Sequence, residues 1–304
     1  MSETITFLVG LPACGKSTYA EKLKITYGED DTIIVESDAY RERFYGDPAI
    51  QGDNNKLFEI IHGDILKHLS EGYNVIFDAT NLSRKNRVAL LQKVPSNVIK
   101  ECIVIATSYV KCIERNNLRD RKVPAEVIDR MWKSFQVPTY TEGYDVIDIE
   151  YDYDKKDYKI EEYLLFADDF DQKNYHHKLT LGQHSRKVSE LLENSSVDEW
   201  VRLAGLLHDC GKPMTQVFSD MKGKPSDIAH YYSHENCGAY EAMFYLDRQI
   251  FRAGELLDAI TLINYHMRPY MATTEKAKEK LKNIVGEDLY YFLMLLHQAD
   301  KEAH

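Results

Sequence analysis

At 304 residues the chain has room for two domains of ordinary size, each able to bury its own core, and its 44% hydrophobic and 29% charged residues are the balance of a water-soluble globular protein. The formal charge of −11 argues against a protein that coats long nucleic acid by non-specific attraction. That acidity is local, however: between Thr141 and Gln172 twelve acidic residues face three lysines, a net of −9 that leaves about −2 for the rest, so a polyanionic substrate is not excluded. The five scattered cysteines form no C-x-x-C pair, and neither a basic leader nor a long apolar run is present; both point to a reduced cytoplasm, or a host cytoplasm if the gene is a phage's, with no membrane contact.

In chain order, the first half alternates short apolar runs with helical patterns: ITFLVG, TIIVES, NVIFDAT, VIKECIVIAT and YDVIDIEYDYD are strand candidates separated by helices. Such alternation predicts an α/β domain, a parallel sheet sandwiched by helices. The last run sets Ile147, Ile149, Tyr151 and Tyr153 against Asp148, Glu150, Asp152 and Asp154, the pattern of an edge strand with one wet side. The division expected is a P-loop domain over 1–155, an acidic connector over 156–172 and a helical domain over 173–304.

The stretch Gly10 to Thr18, GLPACGKST, fits G-x-x-x-x-G-K-[ST] and sits between a strand and a helix. Backbone N–H groups of such a turn, with the positive end of the helix dipole, form an anion cradle. Gly10, Pro12, Ala13, Cys14, Gly15, Lys16, Ser17 and Thr18 are therefore expected to hold ATP or another NTP, with Lys16 on the β and γ phosphates and Ser17 on Mg²⁺. Three further features follow strand ends or lie in the lid region. Asp38 can accept the proton of an attacking hydroxyl and Arg41 can bind a substrate phosphate, although an N-cap aspartate with a solvated arginine reads the same way. Asp78 stands where a metal-orienting carboxylate would, or a plain Asp–Asn turn. The basic run Arg115 to Lys122 is either a lid that brings Arg115 and Arg119 to the transferring phosphoryl group or a solvated face.

GLPACGKST, SDAYRERF, FDATNLSRKNR and ERNNLRDRKVP, in that order, resemble the 5′-hydroxyl polynucleotide kinases of bacteriophages and bacterial RNA-repair proteins over about residues 1–150. The resemblance implies that Lys16 and Ser17 bind ATP and metal, that Asp38 is the general base on the 5′-OH, that Arg41 grips the 3′ phosphate of the terminal nucleotide, and that Arg119, with Arg115 beside it, touches the ATP phosphates. Cys14 departs from the Ser or Gly frequent in that family.

From Ile160 on, apolar residues recur at three-and-four spacing, which predicts an all-α domain; Ser196 reads as the N-cap of one helix and Gly211 with Pro213 as its stop. Nine of the eleven histidines lie after residue 175. His184, the pair His208–Asp209, His234, His266 and Asp300 fall on or at the ends of five successive helical segments, which a bundle can aim at one point. Imidazoles with carboxylates suit Mn, Fe, Co, Ni or Zn, and Asp209 has two oxygens with which to bridge a pair of ions. His62, His68, His176, His177, His230, His297 and His304 read as ordinary core or surface residues.

TLGQHSRKV, LLHDCGKP, HYYSHENCGA, NYHMRP and a late Ala-Asp resemble the HD phosphohydrolase superfamily over about residues 175–304, in the dinuclear version. The resemblance implies one metal on His184, His208, Asp209 and Asp300, a second on Asp209, His234 and His266, and a substrate-phosphate contact from Lys212. Together the halves read as an end-healing enzyme that phosphorylates a 5′-OH on RNA or DNA and removes a 2′,3′-cyclic or terminal phosphate ahead of a nucleic-acid ligase. A nucleoside or metabolite kinase fused to an HD nucleotidase, and a nucleotide-sensing adaptor, remain alternatives. Known repair proteins with both modules carry the HD module first, the opposite of the order here.

Overall fold

The computed structural model describes residues 3–47, 52–152, 158–174, 178–246 and 252–303. Tyr153 and Asp154 of the last expected strand, and His176, His177 and His304, lie outside the described residues. The chain divides into two compact units, one formed by Met1–Met131 with Pro138–Lys155, the other by Trp132–Val137 with Lys156–His304.

The first unit is a five-stranded parallel sheet in the order β2-β3-β1-β4-β5, with helices between the strands. In sequence its elements are β1 (Thr4–Val9), α1 (Lys16–Tyr27), β2 (Thr32–Glu36), α2 (Ser37–Tyr45), α3 (Asn54–Ser70), β3 (Asn74–Asp78), α4 (Arg84–Leu91), β4 (Ile99–Ala106), α5 (Tyr109–Asn117), α6 (Ala125–Trp132) and β5 (Val146–Tyr151). Ile5, Phe7, Leu8 and Val9 of β1 are fully buried, as a central strand covered on both faces requires. β5 is the edge strand expected, with Ile147 buried and Val146 and Asp148 exposed. Because all strands run the same way, their carboxyl ends share one rim, and α/β sheets bind ligands beyond that rim. Residues 10–18, Asp38, Asp78, Thr107 and Asp152 each follow, or end, a different strand there.

One feature of this unit escaped the sequence reading. Arg87, on α4, is fully buried and makes a two-pronged ion pair with Glu142, Nη2 to Oε1 at 2.6 Å and Nε to Oε2 at 2.8 Å, while its Nη1 donates to the carbonyls of Asn81 and Leu82. Asn81 in turn donates to the Leu8 carbonyl at 2.9 Å. The loop just beyond Asp78 is thus pinned to β1 and to the turn at Tyr140–Glu142. In the sequence Arg87 is only the last residue of the run FDATNLSRKNR, with no role of its own.

The second unit comprises α7 (Ile160–Asp169), α8 (Leu181–Asn194), α9 (Glu199–Leu207), α10 (Lys212–Thr215), a hairpin of β6 (Gln216–Ser219) and β7 (Pro225–Tyr231), then α11 (His234–Leu246), α12 (Ala253–Tyr265), α13 (Arg268–Met271), α14 (Glu275–Val285) and α15 (Glu287–Glu302). Helices dominate, as periodicity predicts. The hairpin does not show in the periodicity, because its strands are short and mixed in polarity; its turn is set by Asp220, whose Oδ1 accepts from the N–H groups of Lys222 and Lys224. Thr180 and Gln183 form a reciprocal capping box that starts α8. Ser196 is not the cap of α9. It adopts φ 55° and donates its N–H to Glu193, closing α8, and Asp198 occupies the N-cap position of α9. All five cysteines are free and buried. Among the described residues no helix is long and apolar enough to cross a membrane.

Candidate functional sites

The rim of the first unit is built on backbone. Gly15 takes φ 102°, a left-handed conformation that L side chains resist, and turns the chain into α1, whose amino terminus carries no side-chain cap. The loop is held from outside: the Gly10 N–H donates to the Thr80 carbonyl at 3.1 Å, and the Thr107 hydroxyl donates to the Cys14 carbonyl at 2.8 Å. The Lys16 ammonium, buried, donates to the carbonyls of Leu11 at 2.8 Å and Gly10 at 3.2 Å. Cys14 Sγ lies 3.6 Å from that ammonium. The Ser17 hydroxyl donates to Asp78 Oδ2 at 2.6 Å, so the hydroxyl and carboxylate expected to share a metal shell are already joined.

Around this loop the other expected residues fall into place unequally. Asp38 is exposed on the first turn of α2, with Arg121 Nη1 at 3.3 Å from its Oδ2. Arg41, one turn on and buried, donates to Asn54 Oδ1 at 2.7 Å and lies 6.0 Å from the ring centre of Phe58 on α3. Arg115 sits beside Gly15 and pairs with Asp152 at 2.6 Å. Arg119 stands exposed beyond α5, with no such anchor to the loop. Burial, reinforced by Asp78, Glu21 and Asp38, pushes the Glu36 carboxyl above the usual range, which marks this rim as crowded with acid. Arg121, Asp152 and Thr107 were missed; that they lie at a strand end or next to a chosen arginine is the only signal the sequence offers for them.

The second unit assembles its site from side chains. Asp209 is buried and its two oxygens face different partners: Oδ2 lies 3.2 Å from His208 Nε2 and 3.6 Å from His184 Nε2, and Oδ1 lies 3.1 Å from His234 Nε2 and 3.6 Å from His266 Nε2. Asp300 Oδ1 closes the first set at 3.1 Å from His184 Nε2. His184 comes from α8, His208 from the end of α9, His234 from the start of α11, His266 from the end of α12 and Asp300 from α15. Gly211 is what lets the loop after Asp209 meet α11, since a Cβ there would lie 2.1 Å from the His234 carbonyl oxygen.

The histidine tautomers follow from the backbone. Nδ1 of His208, His234 and His266 each lies 2.7 Å from a main-chain carbonyl, those of Gly205, Tyr231 and Ile263, so each Nδ1 carries a proton and each Nε2 faces inward. Nε2 atoms then meet in pairs, His184 with His208 at 3.3 Å and His234 with His266 at 3.2 Å. Nitrogens brought that close need a proton or a metal ion between them. The residues fit a metal, and His184, His208 and Asp300, or His208, Asp209 and His266, can each supply three ligand atoms to one ion. Charge is displaced accordingly. Burial alone would lower the His208 imidazole, but Asp209 and Asp300 outweigh it and carry it up to about 10. Burial would raise Asp209, and the cations of His208 and Lys212 hold it well below the carboxylate range instead. Burial lowers His266, with help from its histidine neighbours.

Lys212 Nζ donates to Asp209 Oδ2 at 2.6 Å. Two supporting tyrosines were not anticipated: Tyr270 donates to Asp300 Oδ2 at 2.9 Å, and the ring of Tyr231 lies 5.6 Å from the Lys212 ammonium. His297 sits edge-on to Tyr270, and His230 stacks on Tyr232, away from the ligand set.

Two family models match the chain: AAA domain over residues 5–138 and HD domain over residues 181–301. The first unit is thus similar to AAA domains and the second to HD domains; a P-loop kinase domain implies a nucleoside triphosphate with a divalent metal, and an HD domain a metal in its His/Asp cluster. It is 32% identical over 161 residues to the L-seryl-tRNA(Sec) kinase of Methanococcus maripaludis, a match that takes in 50% of this chain and 60% of that protein's length. Among solved structures it is similar to a Pnkp1/Rnl/Hen1 RNA repair complex, with 21% identity, 43% of each chain covered and a TM-score of 0.39. A fungal RNA kinase matches with 14% identity, 56% of this chain, 44% of that one and a TM-score of 0.37. A gluconokinase from Sinorhizobium meliloti matches with 18% identity, 49% of this chain, 82% of that one and a TM-score of 0.37. Likeness at this level does not extend to substrate.

Proposed function

We propose that the protein heals broken nucleic-acid ends, the first unit moving the γ-phosphoryl of ATP to a 5′-hydroxyl and the second hydrolysing a 2′,3′-cyclic or terminal phosphate. The observation that carries the reading is a P-loop flanked by an accessible carboxylate and buried arginine in one unit, together with a carboxylate that faces two imidazole sets in the other.

In the first reaction the acceptor hydroxyl gives its proton to Asp38 as its oxygen bonds to the γ-phosphorus and the β–γ bridging bond breaks, releasing ADP. Arg41, held by Asn54, binds a phosphate of the acceptor strand, Ser17 and Asp78 would hold the divalent ion that accompanies ATP, and Lys16, Arg115 and Arg119 neutralise the transferring group. In the second, metal ions bound at the His/Asp cluster would supply a hydroxide at neutral pH and offset the charge of the phosphoester. Asp209, with an oxygen toward each imidazole set, would serve both, His184, His208 and Asp300 would hold one ion, His234 and His266 the other, and Lys212 would take a non-bridging phosphate oxygen.

Hydrolysis of the cyclic ester opens it to a 2′- or 3′-phosphomonoester, and a second hydrolysis releases inorganic phosphate; with both steps the ends become a 5′-phosphate and a 3′-hydroxyl, which makes a nucleic-acid ligase the natural next enzyme. The relative named as an L-seryl-tRNA(Sec) kinase favours one second reading, in which the acceptor hydroxyl belongs to a group carried by RNA rather than to the 5′ ribose. Labelled ATP separates these possibilities. The protein is expected to label a 5′-OH oligonucleotide and to remove its 2′,3′-cyclic phosphate; labelling of free nucleosides or of an aminoacyl group with none on the oligomer would overturn the reading.

A further inference from the structure

The stretch between the two expected domains reads in the sequence as an acidic spacer, yet its end is fastened into the second unit. Beyond α7 the Phe170 carbonyl accepts from the Leu181 N–H at 3.0 Å, and the Lys173 carbonyl accepts from the Ala229 N–H at 2.9 Å. Asn174 donates to the Ala229 carbonyl at 3.1 Å, and the Tyr231 hydroxyl donates to the Gln172 carbonyl. Between these ties Gln172 is 1% exposed. Its amide nitrogen donates to the Leu179 carbonyl at 3.2 Å, which fixes which way the amide faces, and its Oε1 accepts from Lys212 Nζ at 2.8 Å.

A buried lysine beside a buried carboxylate has a default: a closed ion pair in which its charge is spent on that carboxylate. Here the ammonium makes that pair with Asp209 Oδ2 at 2.6 Å and also donates to a neutral amide at 2.8 Å, with the Tyr231 ring 5.6 Å away. An amide draws the ammonium to one side without cancelling its charge. Among the described residues these two acceptors take two of the three N–H groups of Lys212, and the third can meet an anion arriving at the cluster.

The geometry points to Gln172 as a positioning residue of the hydrolase site: it aims the Lys212 ammonium at the phosphate of the substrate, so that the end of the connector forms part of that site. This rests on the hydrolase reading above. The ligand class is a phosphate monoanion or diester, and the property that matters is neutrality. Glu in place of Gln keeps the shape but pairs off the lysine, whereas Met keeps the volume and removes both hydrogen bonds.

The test uses the full-length protein loaded with manganese, comparing wild type with Gln172→Glu and Gln172→Met. Inorganic phosphate serves as the probe, its affinity measured by competition and by titration calorimetry, alongside KM and kcat for a 2′,3′-cyclic phosphate end. Expected are about tenfold weaker phosphate binding and higher KM for Gln172→Glu, a smaller loss for Gln172→Met, kcat changed less than KM, and manganese content and 5′-kinase labelling unchanged. If phosphate affinity and KM match the wild type in both variants, or if Gln172→Glu binds phosphate better than Gln172→Met, Gln172 does not aim the lysine. If either variant loses manganese, its role is structural. A wild-type protein that holds manganese but binds no phosphate would instead overturn the hydrolase reading itself.

Discussion

The two units solve the same problem, holding phosphate, with opposite materials. In the first the cradle is main chain, six consecutive residues between a strand and a helix with the first turn of that helix, and side chains from other strand ends are added around it. In the second no contiguous stretch makes a site; five helices deliver one or two side chains each to a buried point, and backbone carbonyls serve only to fix the imidazole tautomers. A main-chain site tolerates side-chain change outside a few positions. A side-chain site depends on every member, and on the bundle that aims them.

The largest expected effect breaks the second site. Asp209→Ala removes the carboxylate that, alone among the described residues, faces both imidazole sets, so bound metal, read by mass spectrometry, should drop to background along with phosphoesterase activity, while 5′-labelling persists. Next is Asp38→Ala, which should slow 5′-labelling by about 10²–10⁴-fold and leave ATP binding intact, because the cradle does not use that carboxylate. Stability offers a third contrast. Arg87→Ala leaves Glu142 buried and unpaired, and chemical denaturation should show a loss of about 3–5 kcal/mol confined to the first unit.

A pH effect is expected in the second unit. Burial raises the Glu241 carboxyl from 4.5 to about 8, so the folded protein holds a proton there that the unfolded chain releases. Stability from this group is complete below pH 4.5 and declines as pH rises towards 8. Glu241→Gln should therefore match wild type near pH 4 and be the more stable near pH 8 in thermal melts; the reverse order would show the carboxyl is not neutral in the fold. The smallest effect expected is Thr180→Ala, which removes one half of the α8 capping box and should cost about 1 kcal/mol.

That contrast also explains what could be read in advance. The P-loop was legible because a left-handed glycine, a lysine and a hydroxyl must be neighbours in the chain to be neighbours in space. The metal cluster was legible as a list, since histidine and aspartate at helix ends have few other uses in such numbers, but no spacing foretold which oxygen of Asp209 faces which ring. Arg87, Gln172 and Tyr270 were invisible. Their types are common in solvated helices and loops, and only tertiary packing, which turns each to a partner at least 30 residues away, gives them work. Ser196 misled for a related reason: one residue can end a helix or begin the next, and its left-handed backbone selects the former.

The central claim is that two independent sites act on the two ends of one break. A single time course tests it, in which an RNA with a 5′-OH and a 2′,3′-cyclic phosphate is incubated with labelled ATP, magnesium, manganese and wild type, Asp38→Ala or Asp209→Ala protein. The account predicts that Asp38→Ala still removes the cyclic phosphate without labelling and that Asp209→Ala labels without removing it. Equal loss of both reactions in both variants would contradict it.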